Sequence, residues 1–143
     1  MQRDFHSNHK VMRSISPIAV GTTGTGQTGK PVDTLGFRGV EIHASYGSIT
    51  ATNAVFTLTV KEGDVTGTMT SVADANLLGL ESNAGIAAAA TRTSGTSKNV
   101  VKRIGYIGGK RYVSASIKST VTAAVPVAAH VVLTEPFLAP VAT

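Results

Sequence analysis

The stretch FRGVEIHASYGSITATNAVFTLTVKEGD, residues 37–64, decides the fold. In its first half, apolar residues occupy every second position from Val40 to Tyr46, and polar residues fill the positions between them. In its second half, the same alternation runs from Phe56 to Val60. An apolar side chain at every second position is the pattern of a strand with one buried face. The stretch therefore predicts two half-buried strands, and the Lys-Glu-Gly-Asp sequence after them predicts a turn.

The rest of the chain continues this pattern with shorter segments. The further strands that we expect lie at residues 12–20, 68–72, 100–107, 110–118 and 127–133. Gly108-Gly109 predicts a hairpin turn between the strands at 100–107 and 110–118. Residues 74–79 favour one helical turn, and the alanine-rich residues 84–90 are compatible with either helix or strand. Seven or eight short strands with glycine-rich turns predict an all-β fold, either an antiparallel β-sandwich or a jelly-roll-like barrel.

The ends of the chain differ from its middle. Residues 1–17 are polar and weakly periodic, and we expect an extended N-terminal arm there. Residues 18–135 carry the strand pattern and are expected to form the β-sandwich domain. Residues 136–143 contain two prolines, which pair poorly in a sheet, so we expect a C-terminal tail.

Composition excludes several classes of function. The chain has 143 residues and no cysteine, which predicts one domain without disulfides, thiolate chemistry or a cysteine-based zinc site. No apolar run reaches the length of about 18 residues that a membrane-spanning helix needs, and no apolar signal-peptide core follows Met1. We therefore expect synthesis in the cytoplasm, no export and no membrane partner.

Residues 82–134 contain seven Lys or Arg and no Asp or Glu, which predicts an acidic partner such as nucleic acid or an acidic protein surface.

The segment GTGQTGKP, residues 24–31, has the glycine and lysine spacing of a phosphate-binding loop. Such a loop needs a Ser or Thr hydroxyl for Mg²⁺ after the lysine, and it opens a helix. Here that position is Pro31, which lacks both a hydroxyl and an N–H, and no helical pattern follows it. The segment is therefore interpreted as a Gly/Thr-rich loop and not as a nucleotide site.

No other motif indicates catalysis. His6 and His9 are three residues apart, but no third histidine lies near them to complete a metal site. The carboxylates are scattered, mostly in predicted turns, and no G-x-S-x-G sequence occurs. We expect a protein that is not an enzyme and that has no catalytic residue, no metal and no cofactor.

Two basic pairs are the strongest interaction candidates. Lys102-Arg103 and Lys110-Arg111 flank the predicted hairpin, so we expect them to lie close together, with Tyr106 and Tyr112 on the same strands. Basic and aromatic side chains on one surface are typical of single-stranded nucleic-acid binding, although two tyrosines are few for base stacking. The alternative is a solvated or protein-facing pair of strands.

Several segments of the chain resemble one family of proteins. These segments are residues 36–60, residues 71–74 followed by Leu77-Leu78-Gly79, residues 102–113 (KRIGYIGGKRYV), and the closing residues 136–141 (PFLAPV). Together they are similar to small structural proteins of tailed bacteriophages and prophages. The resemblance implies a virion protein, and above all a head decoration (cement) protein that binds and stabilises the assembled capsid lattice.

The resemblance also implies partners and a location. The partners would be the major capsid protein and further copies of the chain itself, as a homodimer or homotrimer at a symmetry axis. The location would be the surface of the virion, after synthesis in the host bacterial cytoplasm. Charge and position indicate the contact residues, namely Arg3, Phe5, Lys10, Arg13, Lys102, Arg103, Lys110, Arg111, Phe137 and Leu138. A neck or tail structural protein and, less favoured, a basic nucleic-acid-binding β domain are the alternatives.

Overall fold

The protein is a sandwich of two antiparallel sheets. The computed structural model describes residues 4–20, 26–49, 54–87, 99–119, 125–138 and 141. The strands within these ranges are β1 (His9–Val20), β2 (Gly26–Thr28), β3 (Val32–Asp33), β4 (Phe37–Tyr46), β5 (Phe56–Gly63), β6 (Thr70–Ser71), β7 (Leu77–Leu78), β8 (Val100–Tyr106), β9 (Tyr112–Ser119) and β10 (Val125–Pro136). One turn of α-helix, α1 (Glu81–Ala84), and two 3₁₀ turns, His6–Asn8 and Asp74–Asn76, complete the described elements.

The strands pair in a nested order. The first sheet has the order β1-β10-β4-β8-β7, and the second has the order β2-β9-β5-β6, with β3 also paired to β9. The first strand therefore pairs with the last, β2 and β3 pair with β9, β4 pairs with β8, and β5 pairs with β6. This is one long antiparallel hairpin rolled into two sheets, the topology of a jelly roll. The all-β prediction, in its jelly-roll form, is confirmed.

The sequence alternation sets which side chains face the core. Ile42, Ala44 and Tyr46 of β4 are buried, as are Leu58 and Val60 of β5. These two strands lie in different sheets, so their apolar sides meet across the interior. The same alternation on β9 buries Val113, Ala115 and Ile117.

Hydrogen bonds from tyrosines join the core to its surroundings. The Tyr46 hydroxyl, on β4 of the first sheet, donates to the carbonyl of Ala84 at 2.9 Å, and burial raises the pKa of Tyr46. The Tyr106 hydroxyl, also from the first sheet, donates to Glu62 Oε2 of β5 at 2.5 Å. It also accepts the N–H of Lys110 at 3.0 Å. Tyr106 thus links the two sheets at the end of the sandwich where β5 finishes.

The segment around α1 covers an edge of the second sheet. β6 pairs only with the last part of β5, at Lys61 and Glu62. The earlier part of β5 is satisfied by the chain after α1, because Phe56 and Ile86 exchange backbone hydrogen bonds. The N–H of Val60 instead donates to a side chain, Glu81 Oε1, at 2.6 Å. A carboxylate therefore takes the place of a strand carbonyl at this edge, which limits the exposure of unpaired backbone.

Three expectations about organisation are corrected by the pairing. β8 lies in the first sheet and β9 in the second, so residues 100–107 and 110–118 do not form a hairpin. Their glycine-rich connection crosses from one sheet to the other, since β8 finds its partner in β4 and β9 finds its partner in β5. β1 begins at His9, so residues 9–17 belong to the sandwich and not to an arm. Pro136 still pairs with Phe37, so the last strand extends one residue past the expected end of the β-sandwich domain at residue 135.

The helical expectations are partly met. Residues 74–76 form a 3₁₀ turn, but Leu77–Leu78 leave it as strand β7. In the ambiguous segment, Ala84 ends α1 and Ile86 forms a bridge to β5. Residues 88–90 lie outside the described part of the chain.

Replacing Tyr106 with phenylalanine tests the link between the sheets. We expect Tyr106→Phe to lower the free energy of unfolding by roughly 1.5–3 kcal/mol near neutral pH, because a hydrogen bond to a charged, partly buried carboxylate is lost. In the unchanged protein, burial and then the hydrogen bond to Glu62 raise the pKa of Tyr106 from 10.0 to about 12. The contribution of the Tyr106 hydroxyl to stability is therefore complete below pH 10 and is lost as the pH rises through about 12. Urea denaturation over this range measures both effects, and Tyr112→Phe is the control.

Replacing Glu81 tests the covered edge. We expect Glu81→Ala to lower the free energy of unfolding by about 1–3 kcal/mol, because the N–H of Val60 loses its acceptor. Glu81→Gln keeps a side-chain oxygen at the same reach and should restore most of the stability. Thermal denaturation of the two variants measures the difference. Equal loss in both would show that the charge of Glu81, and not its hydrogen bond, stabilises the edge.

Candidate protein-binding surface

The phosphate-loop segment is part of the sandwich. Gly26–Thr28 forms β2 and pairs with β9. The N–H of Gly29 donates to the carbonyl of Ala115 at 2.7 Å, and the N–H of Lys30 donates to the carbonyl of Ser14 at 2.8 Å. Backbone N–H groups that would hold a phosphate are thus used within the fold. The residues before Gly26 in this segment lie outside the described part of the chain.

The two sheets present different outer surfaces. On the second sheet, most side chains that alternate with the core are hydroxyl-bearing or basic, namely Thr28, Thr57, Thr59, Lys61, Ser116 and Lys118, and Asp33 of β3 is acidic. On the first sheet, the corresponding positions of β1, β10, β4 and β8 include several aliphatic side chains. Val11 is 54% exposed and Val101 is 65% exposed, and Val132 and Ala128 lie between their strands on β10. We call this outward surface of β1, β10, β4 and β8 the apolar face.

The strand register arranges the apolar face in rows that cross the sheet. Val11, Val132, Glu41 and Gly105 are successive cross-strand partners in one row. The next row is Arg13, His130, His43 and Arg103. The third row contains Ala128, Ser45 and Val101. A row of basic and imidazole side chains therefore lies between two rows that carry aliphatic side chains.

Three hollows lie along the apolar face. A hollow of about 410 Å³ has the side chains of Phe5, His9, Val11, His43 and Val101 in its lining. A hollow of about 460 Å³ lies toward the end where β4 begins, and its lining includes Gly39, Glu41, Gly105, Leu78 and Ile107. A third, of about 240 Å³, lies at the other end and is lined in part by Pro17, Gly47 and Pro126. The three hollows share one sheet face, which makes it a surface suited to a large partner.

Glycines deepen the 460 Å³ hollow. A Cβ atom on Gly39 would lie 2.0 Å from the Thr134 hydroxyl oxygen, and one on Gly105 would lie 2.9 Å from Cβ of Leu78. Both distances are too short for a side chain in the present arrangement. The absence of a side chain at these two positions leaves room between Leu78, Thr134 and the sheet.

Charges on the apolar face are mostly positive. Glu41 is the one carboxylate at its outward positions among the described residues, and it forms an ion pair with Arg103 at 3.0 Å. Its other oxygen lies 3.4 Å from His43 Nε2. Arg13 forms no ion pair with any residue in the described ranges. The face therefore combines aliphatic surface with uncompensated positive charge at its β1 side.

The N-terminal residues extend this surface. Phe5 is exposed, and its ring stacks on the His9 ring with a centroid separation of 4.0 Å. The Asp4 carboxylate accepts the N–H of Ser7 at 2.9 Å and holds the short 3₁₀ turn in place. That hydrogen bond lowers the pKa of Asp4. Phe5 thus lies at the border of the apolar face and adds an aromatic ring to it.

The expected contact residues fall into separate regions. Phe5, Arg13 and Arg103 lie on or beside the apolar face. Lys10 lies on β1, where its cross-strand partner is Leu133, and Lys102 lies on β8, where its cross-strand partner is Ala44. Both side chains are partly exposed. Arg3 lies outside the described residues.

The two basic pairs do not form one cluster, because their strands belong to different sheets. Lys110 Nζ forms an ion pair with Asp64 at 2.5 Å, and Arg111 forms one with Asp33 at 2.8 Å. The hydrogen bond from Arg111 lowers the pKa of Asp33, and the one from Lys110 lowers the pKa of Asp64. These two basic residues are thus partly neutralised by the protein itself. The expectation of a single basic hairpin surface is corrected accordingly.

Of the C-terminal contact residues, Phe137 lies next to Arg38, which lines the 460 Å³ hollow. The N–H of Phe137 donates to the carbonyl of Gly36 at 2.8 Å, and the Arg38 guanidinium lies 5.2 Å from the centre of the Phe137 ring. Arg38 also lines the hollow. Leu138, the next residue, is 87% exposed. Phe137 and Leu138 therefore add apolar surface beside the apolar face.

Sequence reasoning missed the centre of the face. The expected contact residues did not include His43 and His130, nor Val11, Val101 and Val132. The alternation around His43 and His130 places both side chains on the outward side of their strands. Their pairing across β4 and β10 could not be anticipated, because it depends on the register between strands about 90 residues apart in the sequence.

The comparisons with known proteins identify the fold and no family. No family model matches the chain, and no curated protein matches it. Among solved structures, the fold is similar to a chain in the structure of infectious bursal disease virus, Gx strain, with a TM-score of 0.51 and 9% sequence identity. The match covers 90% of the present chain and 32% of the viral one, so the present chain spans about a third of that chain's length. At this identity, the similarity shows a shared β-sandwich architecture.

Two features are absent from the described residues, namely a membrane-spanning helix and a metal site. Neither of the two 3₁₀ turns nor α1 approaches the length of a membrane-crossing helix. No group of three or more His, Asp or Glu side chains within these residues is placed to hold a metal ion.

Acid titration tests the ion pairs of Lys110 and Arg111. In the folded protein, the pKa values of Asp33 and Asp64 lie below 3.8. The contribution of these two carboxylates to stability is therefore complete above pH 3.8 and is lost as the pH falls through the lowered pKa values. We expect a small loss of stability, since both pairs are exposed and screened by solvent. Urea denaturation from about pH 5 to about pH 2 measures it. The Asp33→Asn/Asp64→Asn variant should show a shallower dependence on pH, and an unchanged slope would contradict this assignment.

Proposed function

We propose that the chain is a structural protein of a virus particle, and specifically a head decoration protein of a tailed bacteriophage. In this proposal it binds the assembled capsid lattice through its apolar face. The observation that carries the proposal is the difference between the two outer surfaces of the sandwich. A β-sandwich that is solvated on both sides has no need for exposed aliphatic side chains on one of them, and apolar side chains grouped on one face are typical of a protein interface.

Three further observations support a structural role. Jelly rolls occur in viral capsid proteins, although lectins and other proteins share the fold, so the fold alone is an analogy. The similarity to a chain in a virus structure and the resemblance of several segments to phage structural proteins agree with this class. The N–H groups of Gly29 and Lys30 are used within the fold and are therefore not free to hold a phosphate.

Decoration would stabilise the capsid by mass action. A protein that binds only the assembled lattice lowers the free energy of the assembled state relative to free subunits. Many copies of moderate affinity would together oppose the pressure of packaged DNA. The apolar face would lie against the major capsid protein, and the Ser-, Thr- and Lys-bearing face of the second sheet would lie toward solvent. Copies of the chain would assemble as a dimer or trimer at a lattice symmetry axis.

The proposed contacts are the residues at the apolar face and its rim. Phe5, Arg13 and Arg103 are accessible there, with Phe137 and Leu138 beside the 460 Å³ hollow. Lys110 and Arg111 remain in the proposed contact set, but their ion pairs with Asp64 and Asp33 leave less charge for a partner. A neck or tail protein of the same virion would use an apolar surface in the same way, and copy number separates the two.

Particle binding tests the proposal. Val11→Glu/Val101→Glu places two carboxylates on the apolar face at exposed positions, so the fold should be retained. We expect the variant no longer to co-sediment with virus particles that have been purified without this protein. The matched control, Thr57→Glu/Ser71→Glu, adds the same charge to exposed positions of the second sheet and should bind as the unchanged protein does.

The copy number per virion completes the test. A number near that of the major capsid protein, or a simple fraction of it, supports decoration. About a dozen copies or fewer would indicate the neck or tail instead. Absence of the protein from the particle would overturn the structural role.

A further inference from the structure

We infer that the apolar face recognises an acidic segment of its protein partner, with carboxylates placed to meet Arg13 and Arg103. This inference rests on the proposed function, since the partner would be the shell protein, but it concerns the chemistry of that partner. It is carried by the row Arg13, His130, His43 and Arg103, which crosses four adjacent strands of the first sheet.

The geometry of the row sets the spacing of the partner groups. Arg13 lies on β1 and Arg103 on β8, with β10 and β4 between them. Neighbouring strands are about 4.8 Å apart, so the two arginines are separated by about 14 Å at the backbone. In an extended segment, side chains four residues apart are separated by about 13 Å. Two carboxylates at positions i and i+4 of such a segment would therefore reach both ends of the row.

The surroundings of the row favour a protein segment. The flanking rows carry the side chains of Val11 and Val132 on one side and Ala128 and Val101 on the other. The aliphatic rows on both sides of the cationic row would lie against the flanks of an extended peptide segment whose carboxylates meet the arginines. A single-stranded nucleic acid would instead be stacked on aromatic rings, and none of the four side chains in the row is a Phe, Tyr or Trp ring.

The charge of the row is available to a partner. The Arg103 side chain is 76% exposed, and its one ion pair in the described structure is with Glu41. Arg13 is exposed and has no ion-pair partner among the residues that the structure describes. Lys30 and Arg13 line the same hollow at the outer edge of β1, which adds positive potential there. An acidic partner would thus meet the Arg13 guanidinium directly and would share the exposed Arg103 guanidinium with Glu41.

The test uses a labelled nonapeptide with glutamates at positions 3 and 7 and serine or valine elsewhere. Fluorescence anisotropy measures its binding to the full chain. Arg13→Gln/Arg103→Gln should weaken binding by about ten-fold, since two exposed charge pairs are removed. The matched control, Lys61→Gln/Lys118→Gln, removes the same charge from the second sheet and should leave the dissociation constant within about two-fold. A peptide with glutamines at positions 3 and 7 should bind as weakly as the arginine variant binds the acidic peptide.

Several outcomes would overturn the inference. These are absence of binding, equal weakening by the two double variants, equal binding of the glutamine peptide, and tighter binding of a nine-nucleotide single-stranded DNA that displaces the peptide. Co-sedimentation of both double variants with particles separates this inference from the proposed function. If the arginine variant binds particles as well as the unchanged protein does, the inference fails and decoration stands. If the peptide binds as expected but neither the unchanged protein nor the variants bind particles, the decoration proposal fails. The preference of the face for acidic segments then stands.

Discussion

The last strand of the chain lies inside the first sheet, and the rest of the structure depends on this placement. β10 pairs with β1 on one side and with β4 on the other. The sheet therefore cannot be completed until the C-terminal strand has entered between two segments from the N-terminal part of the chain. Contacts between residues so distant in sequence slow the folding of all-β proteins, because the entropy of closing long loops opposes them. The same contacts make the fold a single closed unit in which each end of the chain secures the other.

The composition of the apolar face follows from this pairing. Its side chains come from β1, β10, β4 and β8, which lie far apart in the sequence. Each strand alone shows only an alternation between buried and outward residues. Once the strands are adjacent, outward aliphatic side chains align in rows, and the arginines and histidines align between them. The second sheet is built by the same rule, but its outward positions hold Ser, Thr and Lys, so the two surfaces acquire different chemistry.

Polar side chains hold the two sheets together where the ladders of backbone hydrogen bonds end. The Ser14 hydroxyl, on β1, accepts the N–H of Ala115 at 3.1 Å, which joins an edge of the first sheet to β9 of the second. Tyr106 and Glu62 make a second link between the sheets, and Glu81 satisfies the backbone of β5. Each of these groups meets a donor or acceptor that would otherwise be buried without a partner, which is costly. The apolar core supplies most of the driving force for folding, and these contacts specify how the sheets meet.

By itself, the sequence determined the class of the fold and the inward face of its main strands. The period of two in residues 40–46 and 56–60 sets which side chains are buried, because that property depends only on neighbours along one strand. It also excluded a phosphate loop, since Pro31 lacks the groups that the chemistry needs. Only the tertiary structure decided which strands are neighbours, and with that the separation of Lys102-Arg103 from Lys110-Arg111 and the alignment of Arg13, His130, His43 and Arg103. The physical reason is that pairing partners and register are set by contacts between distant segments competing for the same core, and no local pattern carries that information.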